Sequence, residues 1–211
     1  MPEYEPVRIK LWGDYACFTR PEMKVERTSY EVPTPSALRG TLQSIHWKPE
    51  FRYAIREIRV LRPIRTIPFV RNEATGLVMG RDPTPVDVTS RTHRVQRYTL
   101  ALRDVAYEVV VDIVPVDGDQ QTAAKHRDIL RRRLEKGQCF RQPYFGCREF
   151  AANFAKGGWE ETNGVTRDLG LMLFDLRYDD DGTATPIFFD AQLQGGVLRV
   201  PPELYEEVWP R

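Results

Sequence analysis

The chain has 211 residues, 41% of them hydrophobic, enough for one large domain or one domain with an added sub-domain. Its 31 Lys and Arg are balanced by 30 Asp and Glu, so net charge does not argue for a nucleic-acid partner and any basic surface must come from local clustering. No apolar run approaches the roughly 20 residues of a membrane span, and MPEYEPVRIK at the N-terminus does not resemble a signal peptide.

In chain order, VRIKLW alternates Val7, Ile9 and Leu11 with polar residues and reads as a strand. GDYACFTRPEMKVERTSYEVP follows as a long connection. TPSALRGTLQSIHWKP reads as a short helix: Thr34 suits the N-cap, Pro35 the first helical position, and Pro49 forbids continuation. Leu38, Leu42 and Ile45 fall on one face, and His46 lands at its edge on the side of Arg39. FRYAIREIRVLRPI is strand-like with a basic outer side formed by Arg56, Arg59 and Arg62. Residues 68–97 are rich in Pro and Gly and hold Arg71, Arg81, Arg91, Arg94 and Arg97, as in a mobile basic loop or hairpin.

VAYEVVVDIVPV is a strong β run. DGDQQTAAKHRDILRRRLEKG is a second helix, ended by Gly137. YFGCREFAANF is a further strand candidate. LGLMLFDLRY, DDDG, TATPIFFDAQL and VLRVPP suggest an antiparallel hairpin or small sheet. The order β-α-β, loop, β-α-β is the split βαβ pattern, so the expected fold is α+β: a ferredoxin-like (RRM-like) domain with an antiparallel sheet over 1–150 and a small β extension over 151–211.

Three cysteines, Cys17, Cys139 and Cys147, without paired spacing, fit a reducing cytoplasm, and no zinc-site spacing occurs. DDDG lacks the spacing of a calcium loop, and no P-loop, G-x-S-x-G or H-E-x-x-H is present, so no cofactor or metal is expected. The residues left are His46, Lys125 and His126. With Thr122 as N-cap, Lys125 and His126 fall in the first turn of the second helix, where an anion is favoured. Two imidazoles can act as base and acid, and a lysine can stabilise phosphorane-like charge, which suits metal-independent RNA cleavage by a 2′-OH. Residue type alone leaves bland readings open. His126 shares a face with Leu130 and Leu134, His46 can simply cover the core, and Arg131, Arg132 and Arg133 can be a solvated helix side.

LWGDYACFTRPEMKVERTSYEVPTPSALRG, SIHWKP, YTLALRDVAYEV and KHRDILRRRLEKGQCFRQPYFGCREF together resemble the CRISPR-associated Cas5 family of the RAMP superfamily, in its subtype I-C form. The similarity runs from about Val7 to Phe150 and more loosely to the end. The resemblance implies a ferredoxin-like domain with a C-terminal β sub-domain. It implies an endoribonuclease that cuts precursor CRISPR RNA at the repeat hairpin, leaving a 2′,3′-cyclic phosphate, and that stays with the guide and the other subunits of the subtype I-C effector complex. The family's catalytic set is a tyrosine before WKP and a Lys-His pair. Lys125 and His126 match the pair, and His46 stands where the tyrosine commonly is. The expected RNA contacts are Lys24, Arg27, Arg39, Lys48 and the arginines of 71–97. The alternative is a non-catalytic RNA- or DNA-binding subunit of the same complex, with duplex DNA as a further contact, and a stand-alone RRM-like protein is a third reading.

Overall fold

The computed structural model describes residues 5–23, 25–74, 94–179 and 181–209. Lys24, Arg81, Arg91 and the centre of the basic segment expected over 68–97 lie outside the described residues. VRIKLW opens β1 (Val7–Ala16), whose Val7, Ile9 and Leu11 are buried. Among its described residues the connection that follows carries a 3-10 turn, the two-residue strand β2 (Arg27–Thr28) and an isolated bridge between Thr19 and Ser29.

Helix α1 (Pro35–Ile45) begins and ends where its residues dictate. Thr34 Oγ1 accepts from the Ala37 N–H at 3.1 Å, and Pro35 takes the first position, where no N–H is needed. A helix of this length is marginal alone. Burial of Leu38, Leu42 and Ile45, at about 2 kcal/mol per side chain, is what holds it.

The central strands are β3 (Phe51–Val60), β4 (Thr66–Ala74) and β5 (Arg94–Pro115). Helix α2 (Gln120–Lys136) and strands β6 (Asn153–Lys156), β7 (Arg167–Tyr178), β8 (Ala184–Gln194) and β9 (Val197–Arg199) follow, then the short helix α3 (Leu204–Val208). The result is a mixed α/β fold with few helices and one large, mostly antiparallel sheet, ordered β6-β1-β5-β3-β9-β8-β7.

Strand β5 is the spine. Its second half pairs with β1 and β3, and its first half forms a hairpin with β4, Thr66 opposite Leu102. The arginine-rich segment thus starts and ends in a regular hairpin. The run VVVDIVP is buried because strands flank it on both edges and side chains cover it on both faces. Val109, Val111 and Ile113 join Leu38, Leu42, Leu130 and Leu134 in one core, so both long helices bury their apolar stripes there.

Three expectations are corrected. The strand expected over YFGCREFAANF is confined to Asn153–Lys156. Before it the chain turns at Gly146, in the left-handed region at φ 79°, where a Cβ would lie 2.0 Å from the Cys17 carbonyl oxygen. The basic side of β3 is neutralised by β5: Arg56 pairs with Asp112, Arg59 with Glu108 at 3.0 Å, and Arg62, just past the strand, with Asp104. The cap of α2 is Asp119, as described below.

Among the described residues no helix is long and apolar enough to cross a membrane, and no group of three or more His, Cys, Asp or Glu side chains gathers as a metal site.

Candidate active site

His46 is the C-cap of α1, where the backbone leaves the helix for an extended conformation. The last carbonyls of a helix lack intrahelical partners, and here those of Ser44, Ile45 and the cap residue find them. Ser44 O accepts from the Phe140 and Arg141 N–H groups at 3.0 and 3.1 Å. Ile45 O accepts from the Arg133 guanidinium, and His46 O from the Tyr53 hydroxyl at 2.7 Å. Helix α2, the segment after it and β3 therefore fix the place where His46 emerges.

Helix α2 supplies the opposite wall. Its N-cap is Asp119, not Thr122: the carboxylate accepts from the Gln121 and Thr122 N–H groups at 3.0 and 3.2 Å. A carboxylate takes two N–H groups and carries the charge that the helix dipole favours, so it outcompetes a hydroxyl three residues on. Lys125 and His126 consequently lie in the second turn. The free N–H groups of the helix end do not form their surroundings.

What surrounds His126 is a line of proton-carrying groups. His126 Nε2 lies 2.6 Å from Glu50 Oε2, and His126 Nδ1 lies 3.0 Å from His46 Nε2. Phe51 stacks beside both imidazoles, with ring centroids 5.3 Å from His46 and 4.6 Å from His126. Lys125 Nζ approaches the same Glu50 oxygen at 3.5 Å. Bonding to His126 and the nearby Lys125 charge hold the Glu50 carboxyl below its usual range. An ionised carboxylate can only accept, so His126 Nε2 is the donor. In the neutral pair His126 Nδ1 then accepts from His46 Nε2–H, which leaves the lone pair of His46 on Nδ1.

The two histidines are 3% and 1% exposed. Burial, then the charge of Arg133, then His126 and Lys48, push the His46 imidazole down to about 4. It is neutral at physiological pH, with its Nδ1 lone pair available as an acceptor.

His46 lines a cavity of about 520 Å³ together with Trp47, Lys48, Arg133, Phe140 and Arg141. Most described arginines answer a carboxylate: Arg8, Arg20, Arg27, Arg39, Arg56, Arg59, Arg62 and Arg65 all do. Lys48, Arg133 and Arg141 pair with no carboxylate among the described residues. In a chain of net charge +1, this is local, uncompensated positive charge beside a neutral imidazole. Trp47 and Phe140, 54% and 80% exposed, offer aromatic faces at the same cavity. Uncompensated cations with open aromatic rings suit a phosphodiester strand.

The family model for CRISPR-associated protein Cas5, in its Cas5d form, matches residues 7–201. The chain belongs to the Cas5d family. It is 44% identical to the CRISPR pre-crRNA endoribonuclease Cas5d of Thermus thermophilus, over 96% of this chain and 94% of that protein. It is 42% identical to the protein of the same name from Mannheimia succiniciproducens, over 96% and 97%. A crystal structure of a CRISPR-associated protein, 25% identical, superposes with a TM-score of 0.68 over 94% of this chain and 93% of that one.

Of the residues expected to act in this Cas5d chain, the fold brings Lys125 and His126 onto Glu50, and His46 onto His126. Lys125, 61% exposed, contacts Glu50 rather than lining the cavity. Among the expected RNA contacts Lys48 lies at the site. Arg27 pairs with Glu73 and donates to Cys147 Sγ at 3.4 Å. Arg39 turns away to Asp175, Arg71 pairs with Glu149, and Arg97 approaches Glu73. Sequence reasoning misses Glu50, Phe140 and Arg141, and reads Arg133 as part of a solvated helix side. Arg133 had a signal: it stands seven residues after His126, on the same helical face.

Proposed function

We propose that the chain is an endoribonuclease that cuts precursor CRISPR RNA at the repeat hairpin without a metal ion and then remains in the CRISPR effector complex. The observation that carries this is the Glu50–His126–His46 line ending at a cavity of unpaired cations. The names of the two curated relatives support the substrate, and the family's role supports the partners, the other subunits of a subtype I-C complex.

The reaction follows from the protonation states. His46 Nδ1 takes the proton of the 2′-OH as O2′ bonds to phosphorus. His46 can pass its Nε2 proton to His126 Nδ1, where the resulting imidazolium faces Glu50. The charge thus settles beside a carboxylate rather than on the buried His46. As the P–O5′ bond breaks, the proton returns through His46 to the departing 5′-oxygen. The products are a 2′,3′-cyclic phosphate and a 5′-OH, with protons balanced. Lys48, Arg133 and Arg141 stabilise the phosphorane charge. Lys125 holds Glu50 ionised and in place.

The framework is read as ferredoxin-like. Strands β1, β3, β5 and β6 stand in the order β6-β1-β5-β3, with α1 after β1 and α2 after β5. That order supports the split βαβ unit, closed by β6 just past residue 150, with β7, β8 and β9 as its C-terminal β extension.

The test is incubation with repeat RNA in EDTA, with the ends of the products identified. Cleavage to a cyclic phosphate is expected. An intact RNA, or cleavage only with added Mg²⁺, overturns the reading, and tight binding of uncut RNA at every pH makes the chain a non-catalytic binding subunit.

A further inference from the structure

A second, smaller cavity, of about 140 Å³, adjoins the first. The two share Gln43 and Trp47, and the new wall adds Arg52, Tyr53 and Trp209. Arg39 also borders it, but both guanidinium arms are held by Asp175. Arg52 is different. It is exposed on β3, has no carboxylate partner among the described residues, and lies 5.5 Å from the Trp209 ring centroid. Trp209 also packs against Tyr205, ring to ring at 4.6 Å. One open indole, Trp47, therefore stands between the two cavities, a second indole bounds the far one, and an unpaired guanidinium lies in that wall.

Single exposed aromatics are ordinary on a protein surface. Two indoles with an arginine that meets no described carboxylate, continuous with a cavity whose three cations likewise meet none among the described residues, are a different arrangement. Bases stack on aromatic faces whatever their identity, and arginine takes the phosphates between them. The next groove along is less suited, because its Arg56 and Arg199 are answered by Asp112 and Glu57.

We propose that Trp47, Arg52 and Trp209 form a stacking subsite for unpaired nucleotides flanking the scissile phosphate, so that the strand leaves the active site over the end of α1 toward the C-terminal helix. This rests on the endoribonuclease reading above, and it assigns to the C-terminal segment a part in holding RNA.

The experiment compares two repeat RNAs, each with a 2′-deoxy nucleotide at the cut to prevent cleavage. One is the bare hairpin and the other carries several unpaired nucleotides on both sides. In the wild-type protein the flanks are expected to tighten binding on the order of 10-fold or more, the scale of stacking one base, and to quench tryptophan fluorescence. Arg52→Ala and Trp209→Ala are each expected to remove most of that gain and to leave the affinity for the bare hairpin unchanged. Arg52→Ala, at an exposed position, keeps the test valid if Trp209→Ala loosens α3. A protein that cuts the unmodified hairpin but gains nothing from the flanks, or variants that keep the gain, overturns the subsite alone. Failure to bind or cut any repeat RNA overturns the endoribonuclease reading and the subsite with it. Variants that keep the gain but no longer join the effector subunits assign the patch to a protein neighbour and likewise overturn the proposal.

Discussion

His46 and His126, 80 residues apart in sequence, meet through Nε2 and Nδ1 at 3.0 Å. The member facing the cavity is also the one pushed down to about 4. An unperturbed histidine titrates near 6.5, so a free-histidine base would lose half its activity there. The expected outcome here is that the acid limb assigned to His46 falls near pH 4, with a single-turnover rate that holds well below neutrality. His46→Tyr, which installs the residue that the family resemblance implies at this position, is expected to keep part of the activity and lose that limb. His46→Ala is expected to slow cleavage by about 10²-fold. A wild-type rate and an unaltered profile in His46→Ala would place the base elsewhere.

The same shift makes the fold sensitive to acid. Unfolded, His46 binds a proton near 6.5, whereas folded it refuses one until about 4. Between those values the unfolded chain holds more protons, so stability falls as pH falls. The loss attributable to this buried imidazole is on the order of 3 kcal/mol across the window. Urea midpoints for His46→Phe, which cannot titrate, are expected to decline less steeply from neutrality to mild acid than those of the wild type. Parallel curves would remove His46 from the account.

Glu50 carries no proton in the proposed reaction, yet it sets the direction of the line. Glu50→Gln keeps the shape and removes the charge that receives the His126 imidazolium. Cleavage is expected to slow by roughly 10- to 100-fold, within the range for acid–base groups, with RNA affinity unchanged or slightly higher. A merely structural role would not alter the shape of the pH profile, whereas a shift of the acid limb of that profile is the signature expected. His126→Ala is expected to cost about 10² or more, again with binding retained.

The local parts of this site were legible and the contacts were not. Thr34, Pro35 and the spacing of Leu38, Leu42 and Ile45 fix α1 because helix signals act within a turn or two. The candidate triad of His46, Lys125 and His126 could be named from residue type and family resemblance. Its convergence depends on a sheet that packs both helices on one core. Glu50 gave no signal, since a carboxylate four residues past His46 looks like any loop residue. Asp119 and Thr122 are both good caps, and spacing does not choose between charge and hydroxyl. The basic side of β3 misled because Asp104, Glu108 and Asp112, which answer Arg62, Arg59 and Arg56, sit on β5 in reverse order, and only antiparallel pairing aligns them.

Salt dependence should separate the unpaired cations from the paired ones. Each phosphate neutralised on a single strand adds roughly −0.7 to the slope of log K against log salt. Lys48→Gln, Arg133→Gln and Arg141→Gln are each expected to flatten the slope by about that amount. Arg56→Gln and Arg62→Gln are expected to leave it unchanged, because their charge is already spent on Asp112 and Asp104. Titrations of uncleavable repeat RNA at several salt concentrations measure this. Equal flattening in both sets would mean the β3 ion pairs open to RNA.

Arg39 tests the difference between a helix-face expectation and a tertiary contact. It shares the side of His46 on a helical projection, but Nη2 donates to Asp175 Oδ1 at 2.8 Å and Nη1 to the other oxygen. Asp175 is 4% exposed, and burial raises its carboxyl while Arg39 pulls it back. Removing one partner of a buried pair strands the other. Because Arg39 is itself partly exposed, the expected loss for Arg39→Ala is about 2–3 kcal/mol, read from urea unfolding. The stranded carboxyl prefers its proton in the folded state, so the deficit is expected to shrink as pH falls. The slope of RNA binding against salt is expected to stay at the wild-type value. A stable Arg39→Ala protein with a flatter slope would instead make Arg39 a phosphate contact and the Asp175 pair incidental.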